Sequence, residues 1–393
     1  MEIYDSRYFI INKTLMTKMG LWPYQHPLKK FLVRTFLVVF IFVSSMPQLY
    51  GLKKNFGVHM DKIIEHLALL MYIYGIKLKL VTSILSEKKL KKVYENIMEN
   101  WQQIKDVHER AILVEYSERG RTLTIGYIMY MTSALLFFII LPITPMVLNV
   151  IKPLNESRPW DFIMHGEFPV NDMHAHYGEI YLFDSLACIA TVLVFCTVDS
   201  MYATCIEHCI GLFAIVKSRL DLSTKFVNRQ GALGIKRDDK VYDLIVKTIK
   251  LHKKIINFTH ILESSYSTSF LILMGMNMLY CSLVSVLLII KSDALMERIR
   301  YGTILLGLLI HLFYISWPGQ KIIDLSTGLF EDAYSNEWYE TSIRSQNLLK
   351  FMRLRCLTPC QLTAGGIYVM NFANFASIIK TSTSYITVFA SFT

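Results

Sequence analysis

The stretch Leu312–Glu340 reads LFYISWPGQKIIDLSTGLFEDAYSNEWYE, and Gly365–Thr393 reads GGIYVMNFANFASIIKTSTSYITVFASFT. An apolar helix runs into a polar, aromatic segment. A last hydrophobic helix follows, carrying Lys380, Ser384 and Tyr385, and the sequence stops at Thr393. A sequence that stops inside a hydrophobic segment predicts a helix with a task in a membrane.

The composition agrees. Of 393 residues, 53% are apolar and only 18% are charged, and the mean hydropathy is +0.37. Soluble domains carry roughly a quarter charged residues. The apolar residues fall in blocks of roughly 20, the length that crosses a hydrocarbon core. A net charge of +10 raises nucleic acid as a partner. The cations cluster between apolar blocks, however, and no nucleic-acid motif accompanies them. A membrane's positive-inside bias explains the sign better. The first residues, MEIYDSRYFIINKTLMTKMG, lack a secretory pattern, so the first span is expected to target the chain.

Seven spans are predicted, at 31–50, 63–85, 122–150, 178–200, 263–290, 300–320 and 366–392. The second contains Glu65, Lys77 and Lys79; the two lysines, near one end, are expected to snorkel. Pro142 and Pro145 fall in the third, where neighbouring helices can satisfy freed carbonyls. Lys and Arg number five, eight, eleven and five in residues 1–30, 86–121, 215–260 and 321–365. The alternate connections, 51–62, 151–178, 291–300 and the C-terminus, hold three, two, three and none. That asymmetry predicts a cytoplasmic N-terminus and an extracellular C-terminus. A G-protein-coupled receptor has the opposite orientation, and its Asp-Arg-Tyr and Asn-Pro-x-x-Tyr signatures are missing. Asn155, in the sequon Asn155-Glu156-Ser157, falls on the outer side and is a candidate for glycosylation. Sequons at Asn12 and Asn257 fall on the cytoplasmic side and should be silent.

The connections 86–121 and 215–260 have apolar residues at helical spacing between Glu and Lys, so the membrane helices should continue as a cytoplasmic bundle. The fold class is therefore all-α membrane protein, with seven transmembrane helices extended into a cytoplasmic anchor bundle. No repeat points to an inverted-repeat transporter. No nucleophile–base pair, phosphate loop or paired carboxylates suggest an enzyme.

The chain resembles the insect odorant receptor family. The resemblance is strongest from Leu312 to Thr393. It rests on Trp317 and Gly319, then Ser326, Ala333, Tyr334, Trp338 and Tyr339, then Ile378, Ile379, Lys380 and the Ser384-Tyr385 pair. Elsewhere it is topology and loop length that agree. The related gustatory receptors end Thr-Tyr, five apolar residues, Gln-Phe; here Ser391-Phe392 closes the same frame without Gln. The family's co-receptor has an extra stretch in its second cytoplasmic loop that is missing here, so the chain looks like a ligand-tuning subunit. The resemblance implies a nonselective, odorant-gated cation channel in the plasma membrane of olfactory sensory neurons, a heterotetramer with co-receptor subunits. A gustatory-type channel and a metabotropic receptor are the alternatives. Residues 1–320 would hold helices one to six and the ligand pocket; residues 321–393 would hold an anchor helix and the pore-lining seventh helix.

On the last helix, Thr381, Ser384, Tyr385, Val388 and Phe392 share a face that turns from hydroxylated to apolar. Hydroxyls suit a wet path and apolar rings gate by dewetting, although Ser and Thr also bond helix to helix. By resemblance, Val388 would be the narrow gate and Ser391 and Phe392 the mouth. Lys380, in mid-span, has two readings: it faces the pore, or it faces an acidic partner. Gly365 and Gly366 read as a turn before that helix, or as a close subunit contact.

The resemblance places the odorant site in the outer half of spans two, three, four and six. The residues there are Ala68, Met71, Tyr72 and Gly75; Ser133, Leu136, Phe137 and Ile140; Tyr181, Ser185 and Ile189; and Ile304, Leu308 and His311. They are mostly apolar and aromatic, suited to a small volatile held by contact area, though each fits plain helix packing as well. Asp184 should pair with a neighbour. His165, Asp172, His174 and His176 read as a solvated loop, and Cys205, His208 and Cys209 as too few ligands for a metal. All seven cysteines are expected to be free, and no cofactor or metal is implied.

Overall fold

The computed structural model describes residues 2–153, 158, 160–228, 234–291, 294–335 and 337–390, with side chains left out at 224–228, 234–239 and 385–390. It is helical almost throughout. The chain opens with a short helix α1 (Ile10–Lys18). The first span is α2 (Pro27–Val43) continued by α3 (Met46–Asn55), and the second is α4 (Met60–Leu85). Next come α5 (Glu87–Gln103) and the third span, α6 (Val107–Ile140) with α7 (Thr144–Ile151). Three long helices follow: α8 (Tyr177–Asn228), α9 (Gly234–Ile290) and α10 (Leu295–Ser335). The chain closes with α11 (Ile343–Cys356), a hairpin of β1 (Thr363–Ala364) and β2 (Tyr368–Val369), and α12 (Phe372–Ala390). Among the described residues six helices are long and apolar enough to cross a membrane; α12 is the seventh by backbone and sequence.

Local chemistry sets the boundaries. Pro27 and Pro145 sit in the first turns of α2 and α7, where a missing N–H is harmless. Asp106 caps α6 by accepting the Glu109 N–H at 3.0 Å. Pro142 forces a 3-10 turn, Leu141–Ile143, between α6 and α7. The window of α6 and α7 is the most hydrophobic of the spans, yet only 11% of it is buried. Apolar surface turned outward on that scale belongs against lipid.

The largest cluster of buried apolar residues runs from the spans into a dense core at the basic end. There Val93, Tyr94 and Ile97 of α5 pack wholly buried against Cys209, Leu212 and Ile215 of α8 and Ile255 of α9. The N-terminal segment is pinned to it: the Tyr4 hydroxyl donates to the Tyr94 carbonyl at 2.7 Å, and Trp22 stacks on Tyr94. The extended helices predicted from the loop sequences are thus real helices, with α8, α9 and α10 running unbroken from the spans into this core.

One expectation changes here. The last span begins at Phe372, not 366, and the helix before it, α11, ends at Cys356. Gly365 and Gly366, at φ +64° and +71°, form the turn of the hairpin that pairs Thr363 with Val369. Positive φ is what glycine supplies without strain. The hairpin hangs on α9, where the Gly365 N–H donates to Ser267. It also presses on Gly319 of α10, where a Cβ would come within 2.2 Å of the Met370 carbonyl oxygen. Ser326 Oγ accepts the Cys360 N–H at 3.0 Å. The aromatic-polar signature around Trp317 therefore marks where the hairpin docks.

Candidate ligand cavity and pore helix

A cavity of about 440 Å3 lies among α4, α6, α8, α9 and α10, on the side of the bundle away from the dense core. Helix α4 gives it one wall: Ala68, Met71, Tyr72 and Gly75 recur at i, i+3, i+4 and i+7, and all four line it. Tyr72 stacks on Phe195 of α8 and on Tyr280 of α9. Ser133 and Phe137 of α6 line it, as do Ile304, Leu308 and His311 of α10.

Five predicted residues do not. Leu136 and Ile140 are exposed on the outer face of α6. Tyr181 and Ser185 lie outward of the cavity, with the Tyr181 hydroxyl donating to the Ile139 carbonyl. Ile189 is turned away from that face, and α8 contributes Cys188, Val192 and Phe195 instead. Cys188 is seven residues past Tyr181, back on its face, whereas Ile189 has rotated a further 100°. Helix α9 was left out of the expected set, yet supplies Asn277 and Tyr280. Its signal was present: Leu273, Asn277, Tyr280, Val284 and Leu287 repeat at helical spacing.

The loop between α7 and α8 closes the outer end. Ile163, Met164 and His165 line the cavity from it. His165 contacts Glu65 of α4, Asp161 and Arg300 of α10; Arg300 also holds Asp161. Lys291, just past the end of α9, is 2.7 Å from Glu65. His165 is thus no member of a solvated loop cluster with Asp172, His174 and His176; those three engage local neighbours instead. Burial and the Arg300 guanidinium oppose a charged imidazole, but the carboxylates of Asp161 and Glu65 outweigh them and raise the His165 pKa. Against the penalty of burial, His165 and Arg300 hold the Asp161 carboxyl below its ordinary value. Glu65, His165 and Glu297 bring ligand atoms within 4.8 Å of one another. Lys291 stands against Glu65 and Arg300 against Glu297, so cationic side chains face these carboxylates. Asp184 accepts the Met164 N–H at 3.2 Å, pairing with backbone.

The inner end is a buried charge cluster. Lys79 Nζ lies 2.6 Å from the carboxylate oxygens of Asp199, with both side chains 1% exposed. Tyr127 donates to the same carboxylate at 2.9 Å, and His311 Nε2 lies 3.0 Å from it. Lys79 does not snorkel: its ammonium points inward, over the face of Phe195 at 4.1 Å. Lys77 contacts Ser45 and the rings of Phe42 and Tyr74. Asp199 was not foreseen as a site residue; the signal was an acid in the middle of an apolar span.

Cys205, His208 and Cys209 do not converge on a metal. His208 bonds Asn100, and Cys209 bonds Thr259. The seven cysteines are free.

Helix α12 packs on α9 and α10 through Phe375, Ile378 and Ser382, with Phe375 meeting Phe313 edge-on. Ser377, Lys380, Thr383 and Ser384 are exposed, whereas Thr381 is half-buried. Lys380 has no carboxylate partner among the described residues. The side chains of Tyr385 and Val388, and Asn155, Ser391 and Phe392 altogether, lie outside the described residues.

Over residues 59–383 the sequence matches the model of the 7tm Odorant receptor family. The chain belongs to that family. The receptor is 23% identical over 323 residues to Odorant receptor 13a of Drosophila melanogaster, covering 78% of this chain and 74% of that one. It is 22% identical over 236 residues to Odorant receptor 9a of the same fly, covering 58% and 57%. Its fold is that of the insect olfactory receptor OR5 from Machilis hrabei. The complex of OR5 with eugenol superposes with a TM-score of 0.78 at 13% identity, covering 98% of this chain and 97% of that one. A second structure of OR5 gives 0.75 at 12% identity, covering 98% of each. The receptor is thus a multi-pass, predominantly helical membrane protein of the odorant receptor family.

Proposed function

We propose that this odorant receptor is the ligand-tuning subunit of a nonselective cation channel in the plasma membrane of olfactory sensory neurons. It would bind small volatiles in the cavity and open a central pore in a tetramer with co-receptor subunits. The observation that carries the reading is the cavity itself: bordered by five helices, walled by Tyr72, Phe195 and Tyr280, and lined at one end by a loop. Such a space binds mainly by apolar contact, at ~25 cal/mol per Å2, and a few polar groups orient the ligand. A structural neighbour in complex with eugenol supports a small molecule as ligand.

The pore reading rests on the amphipathic last helix. Lys380, Thr381 and Ser384 would border the inner path, Val388 the gate, and Ser391 and Phe392 the mouth. The exposure of Lys380 and Ser384 on one protomer is what a face turned towards other subunits needs. A ligand that prefers the open arrangement shifts the equilibrium towards it. The Lys/Arg asymmetry supports a cytoplasmic N-terminus, with Asn155 outside and open to glycosylation.

Currents evoked by a volatile panel, with and without the co-receptor, test this. Responses should need the co-receptor and be lost in Val388→Trp. Responses that survive Val388→Trp and vanish on blocking G-protein signalling would overturn the channel reading. An external N-terminus would do the same for the orientation.

A further inference from the structure

The polar groups at the inner end of the cavity are not arranged at random. Asp199 draws Lys79, Tyr127 and His311 onto one carboxylate, and of these His311 lines the cavity. The Asp199 carboxylate can only accept, so the His311 nitrogen 3.0 Å from it, Nε2, carries the proton. The Lys79 ammonium also lies 3.4 Å from Nε2, but Asp199 holds it at 2.6 Å. The shorter 3.0 Å contact of Nε2 to the carboxylate therefore decides the tautomer. A second proton on the ring would place positive charge beside that ammonium. Lys79 already balances Asp199, and the ring is neutral. That leaves Nδ1 as a lone-pair acceptor.

Nδ1 has no hydrogen-bond partner among the described residues, and the side chain keeps 12% exposure next to the cavity. The Tyr130 hydroxyl also lacks a partner among the described residues. It lies against Gly307, one turn before His311 on α10, where a Cβ would sit 3.2 Å from it. The cavity's inner end therefore offers one fixed acceptor and, close to it, one hydroxyl.

We infer that the cavity is built for an alcohol or phenol on an apolar body, with the ligand hydroxyl donating to His311 Nδ1. The inference rests on the cavity being the odorant site. An ether or hydrocarbon of the same shape would strip water from Nδ1 and leave it unpaired, and sites built to bond a hydroxyl reject analogues that lack it. Asp199 and Lys79 act as positioning residues: they fix the tautomer and never touch the ligand.

The test uses two matched pairs, 2-phenylethanol with its methyl ether and 1-hexanol with its methyl ether. Their ability to stabilise the purified full-length receptor against heat, across a concentration series, gives apparent affinities. The wild type should favour each alcohol roughly tenfold, the worth of one good hydrogen bond. In His311→Phe the ratio should fall to about one, because ring and volume remain and the acceptor is gone. His311→Gln keeps an amide for Asp199 without an acceptor at the Nδ1 position, and should behave alike if His311→Phe fails to fold. Taking the ratio between variants cancels differences in membrane partitioning. Equal affinities in the wild type, or an alcohol preference that both variants retain, overturn the inference and leave the odorant cavity standing. Failure of these probes and of every volatile in the wider panel to bind overturns the cavity reading itself.

Discussion

Replacing Lys79 by Met should destabilise the folded receptor by about 3–5 kcal/mol, the usual loss when one member of a buried ion pair is removed. The structure sets the conditions for that figure. Lys79 and Asp199 are each 1% exposed and 2.6 Å apart. Without the ammonium, the Asp199 charge keeps only two neutral donors, Tyr127 and His311. Asp199→Asn should cost less, about 3 kcal/mol, because the stranded ammonium still lies over Phe195 at 4.1 Å. Removing both charges in Lys79→Met with Asp199→Leu should cost less than the sum of the singles, with a coupling of about 2–3 kcal/mol. Unfolding by SDS titration in mixed micelles, followed by tryptophan fluorescence, measures all three variants. Single losses below about 1 kcal/mol that simply add in the double variant would refute a dry, coupled pair.

Other parts of the molecule make sharper, smaller claims. Gly319→Ala should lower stability by about 1–3 kcal/mol, because its Cβ would meet the Met370 backbone carbonyl at 2.2 Å; an unchanged unfolding curve would mean that the hairpin does not dock there. Ser326→Ala should cost about 1–3 kcal/mol by orphaning the Cys360 N–H, and Ser326→Thr should recover part of it. His165 has a pKa raised by Asp161 and Glu65. Its stabilising contribution is therefore complete below the ordinary imidazole value of ~6.5 and is lost as pH rises through the raised one. Melting temperature should fall as pH rises through that window in the wild type and stay flatter in His165→Gln; a wild type that gains stability as pH rises there would contradict the assignment.

The sequence was most legible where it repeats locally. The wall Ala68, Met71, Tyr72 and Gly75 could be read from 3.6-residue periodicity, since every turn of α4 returns to one face. The same rule misplaced Ile189, where a one-residue slip turns a side chain through 100°. It also passed over α9, whose apolar face looked like any buried helix until four others were set around it. Gly365 and Gly366 were legible as a turn, but not as a hairpin docked on Ser267 and Gly319.

Length, hydropathy and the placement of Lys and Arg are properties of short segments and of the solvent each one needs. By themselves they determined a helical membrane protein, and the spacing from Trp317 to Tyr385 pointed to its family. The partners of its charges were decided only in three dimensions. Lys79 reads as a lysine near the end of a span, and its counterion is 120 residues away on α8. His165 reads as one of several loop histidines, and Glu65 is 100 residues before it. Hydropathy records that a charge must be satisfied; packing alone decides by what. In this receptor those pairings close the two ends of the cavity.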